Sequence, residues 1–229
     1  MEKNTPKTTA YNLIILDESG SMRHLTRQTI EGCNETINVA RHTARTHSAT
    51  MRSLLSIYAF QNGGPVTSRY IVKNVAAEDE VQITDKDYQP YGNTPLLDAV
   101  GSTLSELKAV TATMDDTTGI ITIITDGMEN SSEHYNIKQV QSLITEFREK
   151  GWAVNLIGAN IDVDNLADAM GIKTRMAWVA NEEDTIRMHT QLRNSMACWS
   201  NNVSACAAPN LSKDELIELR KKVADNLPF

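Results

Sequence analysis

The sequence predicts an α/β fold: a doubly wound, mainly parallel sheet with helices on both faces. Three observations carry that reading. Segments such as Leu13-Ile14-Ile15-Leu16 and residues 120–124 are apolar almost without interruption, as strands covered on both faces are. From Thr94 onward such segments alternate with stretches whose apolar residues recur every three or four positions, the strand–helix alternation of a parallel sheet. The 229 residues, 41% of them hydrophobic, suffice for one large α/β domain and a short appendage.

In chain order, residues 1–10 read as a loose lead-in and 12–16 as the first strand. From Thr26 to about His47, Ile30, Cys33, Ile37, Ala40 and Ala44 recur at helical spacing, which places Cys33 on a packed face. Residues 53–60 form a second strand, Gln61-Asn62-Gly63-Gly64-Pro65 a turn, and 68–75 a third strand. That connection is too short for a crossover helix, so the pair is expected to be an antiparallel hairpin. Residues 76–87 are acidic and suit a short helix or loop, and 88–93 a loop. Thr94-Pro95 is expected to open a helix, with Thr94 as its cap and Pro95 in its first turn. Leu96, Leu97, Val100, Leu104 and Leu107 mark the buried face of that helix.

The strand at 120–124 ends at Thr125-Asp126-Gly127, and a polar loop covers 128–136. A helix over 137–150 stops at Gly151, a strand follows at 152–157, and a short helix at 162–170 stops at Gly171. A strand at 175–179 and a helix at 182–196 complete a domain assigned to residues 1–200. Residues 197–210 are rich in Ser, Asn and Ala and read as a linker. Residues 211–226 read as a terminal helix opened by Ser212 and Glu215 at capping-box spacing, so 201–229 is taken as linker plus helix.

The net charge of −7 and the lack of any Lys/Arg block argue against a general nucleic-acid surface. No run approaches the roughly 18 apolar residues of a membrane span, and the first nine residues lack the apolar segment of a secretory signal. Cys33, Cys198 and Cys206 form no even disulfide framework, so the expected setting is a reducing cytoplasm. The five histidines show no metal-ligand spacing.

Chemistry concentrates in Asp17-Glu18-Ser19-Gly20-Ser21, directly after the first strand. One carboxylate and two hydroxyls at alternate positions are hard oxygen donors, suited to magnesium, manganese or calcium. In a doubly wound sheet, ligands bind beyond the carboxyl ends of the strands, where the strand order reverses. If the first and fourth strands are neighbours there, Asp17, Ser19, Ser21, Thr94 and Asp126 reach one spot from three loops. Two carboxylates balance one divalent cation, and neutral hydroxyls leave it able to take a further acidic ligand. Each residue also has a plainer reading: Ser19, Ser21 or Thr94 as a helix cap, Asp126 as a turn residue before glycine. Glu18 and Glu129 border the spot and are expected to be exposed, as are His24 and His134. Asp98 is expected to hold a nearby loop, and Trp152, Trp178 and Trp199 to be core or interface anchors.

Asp17-x-Ser19-x-Ser21, the Gly92-Asn93-Thr94-Pro95-Leu96 loop and Thr125-Asp126-Gly127 together resemble the von Willebrand factor A domain family and its metal-ion-dependent adhesion site. Asp17 to Met22 is similar to bacterial and phage-type members in particular. The resemblance covers about residues 10–197 and implies a six-stranded sheet with one antiparallel edge strand. It also implies metal ligation by Ser19, Ser21 and Thr94 through hydroxyls, and by Asp17 and Asp126 directly or through water. The implied partner is a protein that supplies a Glu or Asp carboxylate to the cation.

The function expected is therefore a metal-dependent protein-binding module rather than an enzyme. The rival is a phosphoryl-transfer or hydrolytic site with Asp17 as nucleophile. Related phosphatases place a general-acid aspartate two residues later, where this chain has Ser19, and no Gly-rich phosphate loop ending in Lys-Ser/Thr is present. A third role, self-association, would have Asp214, Glu215 or Glu218 of the terminal helix reach the metal of a second copy.

Overall fold

The computed structural model describes residues 8–127, 129–159, 161–179, 181–206 and 211–228. Six strands, β1 (Thr8–Asp17), β2 (Met51–Phe60), β3 (Arg69–Ala76), β4 (Thr117–Thr125), β5 (Ala153–Ala159) and β6 (Thr174–Trp178), form one sheet in the order β3-β2-β1-β4-β5-β6. All pairs are parallel except the β2–β3 hairpin at one edge. The order reverses at β1, which lies between β2 and β4. Asp17 is level with Phe60 on β2, and Leu16 with Ile124 on β4. The carboxyl ends of β1 and β4 therefore meet side by side, as the site requires.

The helices are α1 (Thr26–Thr46), α2 (Leu96–Thr111), α3 (Ile137–Glu149), α4 (Val163–Met170), α5 (Glu182–Ala205) and α6 (Lys213–Asp225). Alternate residues of β1 serve opposite layers, the period-2 geometry of a strand. Tyr11, Leu13 and Ile15 pack with residues of α2, α3 and α4, whereas Ala10, Ile14 and Leu16 pack with α1, α5 and α6. Every residue of β1 is buried, which explains its continuous apolar run.

Four expectations are corrected. The lead-in shrinks, because β1 begins at Thr8: Thr8 and Thr9 pair with Met51 and Thr117, and their polarity masked the strand. The rest of the lead-in, residues 1–7, lies outside the described residues. Helix α2 starts at Leu96, with Pro95 in the cap position and no side-chain cap bond from Thr94. Residues 197–205 are helix rather than linker. Leu192, Met196, Trp199 and Val203 are buried at spacings of four, three and four, so a helical stripe runs through a composition that looks like a loop. Residues 207–210 of that stretch lie outside the described residues. Glu18 and Glu129 are not exposed, for reasons given below.

Gly151 (φ +79°) and Gly171 (φ +72°) end α3 and α4 in the left-handed conformation that glycine adopts without strain. Ser212 and Glu215 form the capping box of α6. Helix α6 packs at the amino end of the sheet: buried Arg220 spans Asp116, just before β4, and Thr8, at the start of β1.

Candidate metal centre

Three loops converge at the carboxyl ends of β1 and β4. Asp17 closes β1 and is fully buried. Its Oδ1 accepts the Ser19 N–H at 2.7 Å, and its Oδ2 accepts the Thr125 hydroxyl at 2.5 Å. The chain then enters a short 3-10 turn, Gly20–Leu25, where Ser19 makes no side-chain cap bond. Its hydroxyl instead lies 3.1 Å from that of Ser21, which donates to Asp126 Oδ1 at 2.7 Å. Ser19 is buried, Ser21 exposed and Asp126 half-buried, so the cluster runs from the protein interior to its surface.

Thr94 arrives on the second loop, and backbone bonds fix its approach. Gly20 N–H donates to Gly92 O, Tyr91 N–H to Glu18 O, and the Tyr88 hydroxyl to Asp17 O at 2.7 Å. Gly92 has φ +69°, and a Cβ there would lie 1.8 Å from Asn62 O, so only glycine fits. The third loop holds Thr94 in turn: Thr94 N–H donates to Asn130 Oδ1 at 2.9 Å, and Asn130 N–H to Thr94 O. A Cβ on Gly127 would lie 3.0 Å from Thr94 Oγ1 and 3.5 Å from Asp17 Oδ2, so that hydroxyl and that carboxylate face the same glycine. All five residues singled out in the sequence thus come to one place.

Neighbouring acids are treated very differently. Glu18 turns inward, fully buried. It accepts Arg69 Nη1 at 2.6 Å, the Gln89 N–H at 2.6 Å and Gln61 Nε2 at 3.3 Å. It is a structural anchor that ties the first loop to β3. Glu129 accepts the N–H groups of Leu97, Ser131 and Ser132, capping α2 in place of Thr94 and shaping its own loop. Asp98 accepts the N–H groups of Glu133, His134 and Tyr135, the loop-holding role expected of it.

Neither Asp17 nor Asp126 has a Lys or Arg among the groups acting on it. Burial pushes the Asp17 carboxyl up to about 6, against the bonds from Thr125 and Ser19, and the Asp126 charge adds to the rise. Burial also raises Asp126, and the Ser21 bond and the charge of His24 act against the rise without reversing it. Two carboxylates held together without Lys or Arg are poorly stabilised as anions by the protein alone. Among the described residues no group of three or more His, Cys, Asp and Glu side chains is placed to hold a metal ion. The donor set here is two carboxylates and three hydroxyls, all oxygen, which fits a hard divalent cation.

Sequence reasoning missed the supporting residues Thr125, Tyr88, Arg69 and Gln61. Thr125 stood inside the quoted motif, and its β-branched hydroxyl beside an aspartate was the one available signal. The other three act across long sequence separations and leave no local trace.

The sequence matches no protein-family model and no curated protein. The fold does match solved structures. A von Willebrand factor type A protein from Catenulispora acidiphila superposes with TM-score 0.55 at 17% identity, over 85% of this chain and 43% of that one. The open conformation of the pilus adhesin SpaC from Lactobacillus rhamnosus GG gives 0.59 at 13% identity, over 84% of this chain and 30% of that one. The SpRpn10 VWA domain gives 0.52 at 9% identity, over 80% of this chain and 94% of that domain. Proximal thread matrix protein 1 of the mussel byssus, with its MIDAS motif occupied by zinc, gives 0.51 at 12% identity, over 82% and 45%. The fold is that of a von Willebrand factor A domain. The chain spans less than half the length of the adhesin and of the Catenulispora protein.

Proposed function

We propose that this chain is a metal-dependent protein-binding module. Asp17, Ser19, Ser21, Thr94 and Asp126 would hold one divalent cation, magnesium by preference, with manganese or calcium also suited to the oxygen set. The cation would supply a Lewis-acidic seat for a Glu or Asp carboxylate of a partner protein. The protein's part is to hold the donors in place: Thr125 orients Asp17, Asn130 fixes the Thr94 backbone, and the Glu18–Arg69 pair anchors the first loop. The observation that carries the reading is the pair of carboxylates at the carboxyl ends of adjacent parallel strands, gathered with three hydroxyls and left without a Lys or Arg partner. The likeness in fold to an adhesin and to a protein with a zinc-occupied MIDAS supports it.

Binding is favoured over hydrolysis because Ser19 stands where a general acid would be needed, and no Lys or Arg is among the groups acting on Asp17. We place the module in a reducing cytoplasm, in keeping with three free thiols. Self-association through α6 has less support: Glu215 caps its own helix, Glu218 pairs with Lys221, and α6 docks at the opposite end of the sheet.

Partner capture in magnesium, repeated with chelator and with Asp17→Ala, tests the reading. Capture lost in both arms is expected. Capture that survives chelator and the substitution alike contradicts it, and magnesium-dependent phosphatase turnover lost in Asp17→Asn would favour the enzyme instead.

A further inference from the structure

Beside the metal face lies a groove of about 520 Å³. Its walls are the turn after β2 (Gln61, Asn62), the first turns of α2 (Pro95, Asp98) and the loop from Ser131 to Tyr135. Three side-chain oxygens of residues lining this groove are buried without a hydrogen-bond partner: Gln61 Oε1, Asn62 Oδ1 and Ser131 Oγ. Gln61 is only 2% exposed. Native folds rarely leave buried polar atoms unpaired, and three at one groove call for a reason.

The hydrogen-bonding sense of the two amides is fixed, and the Ser131 hydroxyl can accept as well as donate. Gln61 Nε2 donates to Glu18 and Asn62 Nδ2 donates to Ser131 O, so reversing either amide would set oxygen against oxygen. Both orphans are therefore acceptors, and an occupant must bring donors. Glu133 and Asp98 add negative charge to the same walls, Asp98 with the His134 ring 3.2 Å from its Oδ2. The groove also adjoins the metal centre through the backbone. Asn62 exchanges two backbone bonds with Asn93, which precedes Thr94, and Ser131 follows Asn130, whose side chain holds Thr94.

We infer that this groove is a second subsite for the same partner, seating a cationic donor side chain, arginine above lysine, close in sequence to the captured acid. This rests on the metal-binding reading for its first contact. A guanidinium carries five N–H donors in a planar fork, which suits several acceptors at once, whereas an ammonium is a point charge. The three oxygens are closed off from water, so seating the occupant requires the turn after β2 to open. Gly63 (φ +84°) and Gly64 give that turn its freedom; Gly64 lies directly against Gln61, where a Cβ would be 2.7 Å from Oε1.

The test is an NMR titration of the full chain in chelator with N-acetyl-arginine amide, N-acetyl-lysine amide and N-acetyl-glutamate amide. Saturable shifts at Gln61, Asn62 and Ser131 are expected in the millimolar range with the arginine probe, weaker ones with lysine and none with glutamate. Asn62→Asp should tighten the arginine probe several-fold and Asn62→Lys should abolish its binding. Both lose the same amide donor, and they place opposite charges at the groove. In magnesium, an acidic peptide with a neighbouring arginine should bind about tenfold tighter than its alanine counterpart, the worth of one charge-assisted hydrogen bond, and Asn62→Lys should erase that gain. No shift at these residues, equal shifts from all three probes, or an unaffected Asn62→Lys would overturn the inference. Because the first titration contains no metal, its failure leaves the metal-binding reading standing. Failure of the acidic peptide to bind in magnesium, with the probe titration positive, would count against that reading alone.

Discussion

Strand β4 is flanked by an aspartate at each end, Asp116 before it and Asp126 after it. Asp116 accepts both terminal nitrogens of Arg220, at 2.6 and 3.1 Å, and the Thr8 hydroxyl at 2.6 Å. Burial pushes its carboxyl up, but the Arg220 and Thr8 bonds and the Arg220 charge outweigh this and leave it below its ordinary range. Asp126 has one serine hydroxyl and sits above its ordinary range. The contrast recurs between Asp17 and Glu18, neighbours in sequence, of which Glu18 has Arg69 and Asp17 has no cation. Asp116 and Glu18, which serve the fold, each have a guanidinium from this protein, and Asp98 and Glu129 have backbone N–H groups instead. Where two carboxylates are left together at the carboxyl edge, the missing positive charge is expected from solution.

Breaking the structural end should have the largest effect on stability. Arg220→Ala is expected to cost about 2–3 kcal/mol, less than the loss from a fully buried pair because Asp116 is 36% exposed. Urea unfolding reads that loss, and magnesium affinity should stay at its wild-type value. Equal damage to both would show that the two ends are not separate.

Loading the other end should give a gain of similar size. Magnesium at about a hundredfold excess over its Kd should stabilise the protein by about 2.7 kcal/mol, seen as a rise in Tm that chelator reverses. Asp17→Asn should show no such rise.

Acid should act on the structural end with a definite sign. The folded carboxyl of Asp116 titrates below its unfolded value of 3.8, so its stabilisation is complete above that pH and is lost as pH falls through the lower folded value. In chelator-treated protein, α6 should loosen below about pH 4 by hydrogen exchange, and Arg220→Ala should remove that step. The smallest effect is expected from Ser21→Ala. Ser21 is exposed and water replaces its hydroxyl, so magnesium affinity should fall only about fivefold, roughly 1 kcal/mol.

Most of this arrangement was legible in the sequence. Uninterrupted apolar runs marked β1 and β4, glycines marked the ends of α3 and α4, and short polar motifs marked the five residues that the fold gathers at the carboxyl edge. What stayed hidden had physical reasons. Thr8 and Thr9 are strand residues disguised as a polar lead-in. Residues 197–205 keep a helical stripe through Trp199 and Val203 inside a composition that mimics a linker. Glu18 looked exposed because its partner, Arg69, lies 51 positions away, and no local pattern reports a buried ion pair. Thr94 sits where a cap belongs, yet Glu129 caps that helix from another loop, which leaves the Thr94 hydroxyl for the cluster.

The central claim is that Asp17 and Asp126 are unpaired because they await a cation. Isothermal titration of magnesium into chelator-stripped protein, comparing wild type with Asp126→Asn, addresses it most directly, since asparagine keeps the side-chain shape while removing the charge and one acceptor oxygen. One saturable site in the wild type, weakened at least about tenfold in Asp126→Asn, is the expected result. No magnesium heat in the wild type, or equal affinity in both proteins, would contradict it.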